Sequence, residues 1–335
     1  MANRRPKLNK CNTVFTIRAG VAHGSKPVCS PDPGGAFNPP MTTPRFDDYC
    51  RDKEEAALAA SLVGFTTLAE EAGGADLLSF GNAWTRRLFD GDFHRSAGPA
   101  SPELPSVSLI ISGGQEGETF GATVPHLLHE GLTRVDADAV LGGIGAAAST
   151  GDRVCSVWHP ELVKLRAERG LPRHPVQVLV TNSCDVAFDR CLLFQEPSLQ
   201  IIVVTRNSLV ATARARLRQS PWVEVMGAGD PLDLRLALTQ LRARGVAVVS
   251  AVGGRRIASS LLDAGLVTDL YITVREPNSA AAALSFYSGP PLVRRRLLSK
   301  AGRGAEGAIR FEHLVPPSVY APGLRLGLSS SSVWR

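Results

Sequence analysis

Between Val246 and Leu270 the chain reads VAVVSAVGGRRIASSLLDAGLVTDL, and this stretch limits the folds open to it more than any other. It opens on a β-branched run, Val246, Val248 and Val249, of the kind that fills a buried strand. Gly253 and Gly254 follow, and Arg255 to Leu262 then repeats apolar residues at helical spacing. Gly265 stands where a helix C-cap belongs, and Leu266 to Val274 reads as a second strand. Strand, glycine pair, helix, glycine and strand make a βαβ unit. Glycines before a helix let a ligand approach the backbone, and the helix N-terminus adds free N–H groups and partial positive charge. The pattern predicts a nucleotide-type ligand held by its phosphates. A tight turn without a ligand would use the same residues, and the full GxGxxG fingerprint is absent.

Strands and helices alternate through the rest of the body. Val107 to Ser112 reads as a strand entering the glycine-rich loop Gly113-Gly114-Gln115-Glu116-Gly117. Pro125 to Arg134 is helical, and Ala137 to Leu141 is a strand running into Gly142-Gly143-Ile144-Gly145, a second place for close backbone approach. Pro160 suits the first position of a helix that Gly170 ends. Strands are expected at 176–180, 199–204, 223–226 and 309–315, a further element at 292–298, and helices at 208–218 and 231–244. This order predicts an α/β fold with a mainly parallel central sheet flanked by helices. Ahead of it, 48–71 reads as a helix, 75–94 as a second amphipathic piece and 96–105 as a proline-rich linker. The expected divisions are a disordered basic extension over 1–45, a helical segment and linker over 46–104, the body over 105–316 and a flexible tail over 317–335.

The net charge of +6 suggests nucleic acid until it is located. Arg4, Arg5, Lys7, Lys10, Arg18, Lys26 and Arg45 face only Asp32 in residues 1–46, which accounts for all of it. The body is balanced and has no excess to steer nucleic acid. Such a leader is also the composition of an organelle transit peptide or of a misplaced start. No apolar run is long enough to span a bilayer, and no apolar segment of a secretory signal follows the early basic residues. The six cysteines form no CxxC pair, which favours reduced thiols and the cytosol. No metal site is expected: His126 and His129 lie three apart on a helix without a third ligand, and ordinary polar-face residues account for them better.

No Ser-His-Asp order, G-x-S-x-G, Walker loop or H-E-x-x-H is present. Arg134 at the end of its helix can grip a phosphate or complement the dipole. Asp152-Arg153 and Trp158-His159-Pro160-Glu161 follow the second glycine loop, beside the sheet edge where open α/β sheets bind ligands.

A set of motifs in order makes the reading sharper. Arg134, Ala137-Asp138-Ala139-Val140-Leu141, Gly143-Ile144-Gly145, Gly170-Leu171-Pro172, Pro175-Val176, Gly253-Gly254, Leu261-Leu262 and Gly265 to Leu270 together resemble the bacterial riboflavin-pathway pyrimidine reductases. The resemblance covers about residues 80–316. It implies a dihydrofolate-reductase-like fold and a reductase that uses NADPH to open the ribose of a phosphoribosylaminopyrimidine, a small-molecule substrate, usually as a homodimer. Carried over by position, Gly253, Gly254 and Arg255 would hold the cofactor phosphates, and Gly143, Ile144 and Gly145 would pass its nicotinamide side. Arg134 and Arg153 would contact substrate, with Glu116 and Asp152 as the catalytic carboxylates. The His-Ala-Glu and Pro-Cys-x-x-C motifs of the deaminase often fused to such reductases are absent. The departures are Val252 where the family has Glu, Gly114 for Ser, Ala146 for Thr and Thr268 in its Val-Asp-Glu-Leu. They leave open a related reductase of another heterocycle and a non-catalytic nucleotide-binding module.

Overall fold

The parallel strands are almost wholly apolar because both faces of the sheet are covered. In the computed structural model Leu109, Ile110 and Ile111 are each buried on β4 (Ser106–Gly113), as is every residue of Ile201–Thr205. The structure describes residues 43–59, 64–70, 77–98, 101–113, 124–145, 153–185, 188, 191–275, 284–300 and 309–317, all within one compact unit, Pro39–Arg335. The readings of Glu116, of Asp152 and of residues 1–42 and 318–335 therefore lie outside the described residues.

In chain order the strands are β1 Thr66–Glu70, β2 Leu77–Phe80, β3 Phe93–Ser96, β4, β5 Ala139–Gly143, β6 Val176–Val180, β7 Ile201–Thr205, β8 Glu224–Gly227, β9 Val248–Val252, β10 Asp269–Arg275, β11 Val293–Lys300 and β12 Ile309–Val315. Ten of them form one sheet in the order β1-β11-β12-β10-β4-β9-β5-β6-β7-β8. From β10 to β8 every pairing is parallel, and β12, β11 and β1 extend that edge antiparallel. The α/β reading with a mainly parallel sheet holds.

Strand alternation sorts the side chains onto two faces. Leu109, Ile111, Leu141, Val249, Ala251, Leu270 and Ile272 pack with Leu238 and Leu241 of one helix (Leu234–Ala243) and Ala258, Leu261 and Leu262 of another (Arg255–Asp263). On the opposite face Ile110, Tyr271 and Phe311 meet Leu128 and Leu132 of helix Val124–Arg134 and Leu162 and Leu165 of helix Pro160–Glu168. Further along that face Leu179, Ile201, Val203 and Val225 meet Phe46 of the first helix, Pro44–Ala59, and Ala213 of helix Val210–Arg216. With Ala83–Phe89 included, these helices are α1 Pro44–Ala59, α2 Ala83–Phe89, α3 Val124–Arg134, α4 Pro160–Glu168, α5 Val210–Arg216, α6 Leu234–Ala243 and α7 Arg255–Asp263. Among the described residues no helix is long and apolar enough to cross a membrane.

The N-terminal part differs from its sequence reading. Helix α1 spans Pro44–Ala59, and Thr66–Glu70, expected to be helical, is β1 on the sheet edge beside β11. Residues 77–96 are strand, helix and strand: β2 and β3 pair antiparallel around α2, which Asn82 opens with a capping box to Thr85. Phe80, Leu88, Phe89 and Phe93 are the buried residues that gave the amphipathic signal. Short apolar runs carry no period that separates strand from helix. Thr43, within the extension read as disordered, donates from its backbone N–H and Oγ1 to Glu196 Oε2, at 2.9 and 3.0 Å.

Candidate active site

β9 lies between β4 and β5, yet the chain leaves it for a different face. β4 and β5 lead to α3 and α4 on one side, whereas β9 leads to α7 on the other. Neighbouring exits that diverge open a crevice at the carboxyl ends of the strands. Val140, Gly142 and Gly143 of β5, Gln177 and Leu179 of β6, Val252 and Gly253 at β9, and Arg153 and Cys155 line that crevice.

The glycine pair does two separate jobs. A Cβ on Gly253 would lie 3.1 Å from Ala258 Cβ and 3.4 Å from Ile111 Cγ2, so its absence lets α7 start close against β4. A Cβ on Gly254 would meet nothing within 4 Å, which leaves open space before the helix. Gly254 is the N-cap of α7, in extended backbone, and offers no side-chain cap. The first turn has no acidic residue, and the exposed Arg255 and Arg256 begin it. Arginines at the positive end of a helix dipole are each unfavourable by about 0.3–1 kcal/mol, and an anion there reverses the sign. This end of α7 fits a phosphate.

On the other side of the crevice a Cβ at Gly142 would come within 3.1 Å of Val252 Cγ2, so β5 and β9 fit tightly there. Gly145 has open space where its Cβ would be. Ile144 is buried with Leu179 and Trp158, so its main chain alone is left for a ligand. Val252 is half-buried and, with Val140 and Leu179, makes this part of the lining apolar. Gln177 ties Cys155 in place, accepting from its N–H at 3.0 Å and donating to its carbonyl at 2.9 Å.

Arg134 and Arg153, expected as substrate contacts, are placed differently. Arg134 is 2% exposed and turned inward, its Nη1 donating to Ser156 O at 2.9 Å and its Nη2 to Glu130 Oε2 at 2.8 Å. The guanidinium is consumed by the core, which corrects the substrate contact read at Arg134. Arg153 stands on the crevice wall and donates from Nη2 to Glu130 Oε1 at 3.0 Å. Glu130 belongs to no motif, and its i,i+4 spacing to Arg134 is its one signal in the sequence. Burial pushes its carboxyl up, but Arg134, His126 and Arg153 outweigh burial and hold it well below the usual range.

His126 and His129 are not polar-face residues. Both are buried, with their Nδ1 atoms 2.8 and 3.2 Å from Thr273 Oγ1. Several residues of the motif set serve the frame. Asp138 Oδ2 accepts from the N–H groups of Ala247 and Val248 at the start of β9. Thr268 Oγ1 bonds Val107 N and O, and Asp269 accepts from Ser96 and lies 2.9 Å from His313 Nε2. Trp158 is core, and His159 caps α4 while stacking on Trp84 at 3.8 Å. An aromatic-lined cavity near Tyr271, Phe311 and His129 includes Gly91 but, among the described residues, no glycine pair leading into a helix, and the crevice is the stronger candidate.

Residues 121–275 match the sequence profile of the RibD C-terminal domain. Among solved structures, a pyrimidine reductase-like protein of Corynebacterium diphtheriae shares the fold with a TM-score of 0.50 at 21% identity, over 63% of this chain and 91% of that one. RibD of Acinetobacter baumannii gives 0.47 at 14% identity, over 64% of this chain and 58% of its own. The riboflavin biosynthesis reductase Rib7 of Saccharomyces cerevisiae gives 0.46 at 14% identity, over 64% and 91%. This chain thus spans little more than half of the Acinetobacter protein. No curated protein matches it. The stretch from residue 121 to 275, which carries the glycine turn, Arg153 and most of the crevice, matches the RibD C-terminal domain, in keeping with the dihydrofolate-reductase-like fold that the motifs implied.

Proposed function

We propose that this protein is an NADPH-dependent reductase of a phosphoribosylamino-pyrimidine, of the 5-amino-6-(5-phosphoribosylamino)uracil type, in riboflavin biosynthesis. The observation that carries the reading is the uncapped, arginine-bearing N-terminus of α7 behind Gly253-Gly254 at the crevice. NADPH, when bound, supplies the hydride. The residues of this chain hold and orient: Gly253, Gly254 and Arg255 at the cofactor phosphates, and Gly143, Gly145 and the main chain of Ile144 along its nicotinamide side. Arg153 meets the substrate, and Arg134 supports it through Glu130. Glu116 and Asp152 orient the substrate or relay a proton. Hydride transfer needs two ring systems face to face with water excluded, and the apolar lining of Val140, Leu179 and Val252 favours that. The reductase domain is taken as 105–316, working as a homodimer in the cytosol. NADPH consumption with the pyrimidine substrate, beside a small panel of other heterocycles, tests the proposal. No turnover of the pyrimidine despite tight NADPH binding would remove the pathway assignment.

Val252 favours a second reading, a reductase of the same fold with a less polar substrate. In the resembled family the carboxylate at this position reaches sugar hydroxyls. Here the side chain leans on Gly142 and can make no such bond. The substrate panel separates the two readings.

A further inference from the structure

Glu130, Arg134, Arg153 and His126 meet beneath the crevice, and their charges do not balance. Glu130 is 3% exposed and divides its oxygens, Oε2 accepting from Arg134 and Oε1 from Arg153. His126 Nε2 lies 3.3 Å from the same Oε1. One carboxylate thus faces two guanidiniums. Arg134 is buried, with its other terminal nitrogen on Ser156 O, and has no route to a ligand. The side chain of Arg153 is 36% exposed and forms part of the crevice wall. The surplus positive charge therefore reaches the crevice at Arg153, where a bound anion would balance it.

We propose that Glu130 is a positioning residue that draws Arg134 into the core and holds the guanidinium of Arg153 at the crevice, so that Arg153 receives the phosphate of the substrate. The proposal rests on reading the crevice as the reductase site and adds to it a required anionic group on the substrate. A guanidinium is a planar fork, and anchoring one nitrogen fixes the direction in which the others can donate. A lysine has no such plane. The electrostatic effect of Glu130 taken alone has the opposite sign, since removing a negative charge should tighten anion binding. Positioning and bare charge are therefore separable.

The test is calorimetric titration of ribose 5-phosphate, with ribose as the uncharged control, into the native protein and into Glu130→Gln, Arg153→Ala and the double variant. NADPH is titrated in parallel. Each single change should weaken ribose 5-phosphate by about tenfold, and the double no further, because residues acting through one contact are non-additive. Binding of ribose should not change. Unchanged or tighter binding in Glu130→Gln, losses that multiply in the double, or a native protein that fails to bind ribose 5-phosphate would each overturn the proposal. Glu130→Gln leaves a buried guanidinium without its counter-charge and can unfold the protein. Glu130→Gln with Arg134→Met removes both charges and should show the same weakening. Arg153→Lys, on a partly exposed side chain, keeps the charge but loses the fork, and native affinity in that variant would also count against positioning. If no form binds NADPH while the phosphate results come out as expected, the reductase reading fails and the positioning of Arg153 stands. The reverse pattern removes the positioning and leaves the reductase.

Discussion

Replacing Gly254 by aspartate sets two effects of one carboxylate against each other. The backbone there is extended, with φ −87° and ψ 162°, and an added Cβ meets nothing within 4 Å, so the substitution introduces no strain. Aspartate is also a better N-cap than glycine by a few tenths of a kcal/mol. Its charge at the helix start adds about 0.3–1 kcal/mol, the more so beside Arg255 and Arg256. Stability should hold or rise by up to about 1 kcal/mol. The same carboxylate occupies the open space before α7 and faces any phosphate held there. Two unit charges at roughly 5 Å and an effective dielectric near 20 repel by about 3 kcal/mol. Solvent reaches this turn, so about half of that is a fair expectation, and NADPH should bind roughly tenfold to a hundredfold more weakly. Thermal melting and NADPH titration of the two proteins measure both quantities. Loss of affinity with stability retained is the expected pair. Equal dissociation constants would remove the phosphate cradle from the argument, and a large fall in melting temperature would show that Gly254 serves the fold instead.

Val252→Glu should raise kcat/KM for the pyrimidine substrate by about tenfold, since a restored hydrogen bond to a sugar hydroxyl is worth about 1–3 kcal/mol. A substrate panel on both proteins checks this, and weaker turnover of every substrate would favour the second reading. Leu238 is fully buried against β-sheet residues from several strands, and Leu238→Ala should cost about 2–5 kcal/mol in urea unfolding with no change in cofactor affinity per folded molecule. Stability should fall as pH is lowered from 6.5 towards 5, before carboxylates begin to titrate. Burial holds His129 well below its ordinary value, and burial together with Arg173 and Arg166 lowers His174 to about 3. Both stay neutral when folded, so the unfolded chain binds more protons in this window and gains stability relative to the fold. Urea midpoints at pH 7 and pH 5 that coincide would contradict it.

Fold and site were legible to different degrees for physical reasons. From Val107 to Val315 the elements follow from long apolar runs and from glycines with a geometric duty. Gly265, at φ +62°, ends α7 while Leu266 N–H returns to Leu261 O at 2.9 Å, and Gly170, at φ +71°, follows α4 in the same way. Such signals are local and survive without a view of the partners. Residues 66–96 lack them: the five-residue edge strand β1 owes its form to β11, more than two hundred positions away, and the four-residue β2 and β3 pair, among the described residues, only with each other.

The site adds a harder problem, which Arg134 and Arg153 show best. Both are arginines near glycine loops, and nothing local says which one reaches the crevice. The answer depends on Glu130, a residue with no motif of its own, and on Ser156, whose carbonyl takes the other terminal nitrogen of Arg134. A buried carboxylate decides by geometry which positive charge is spent inside the protein and which is presented outside. Motif reading finds glycines because their role lies in their own backbone. It misses Glu130 because that role exists only once α3 and the segment at 153–156 have come together. The same holds for Val252, whose meaning as a departure comes from the resemblance, while its effect on the cleft comes from the methyl group it sets against Gly142.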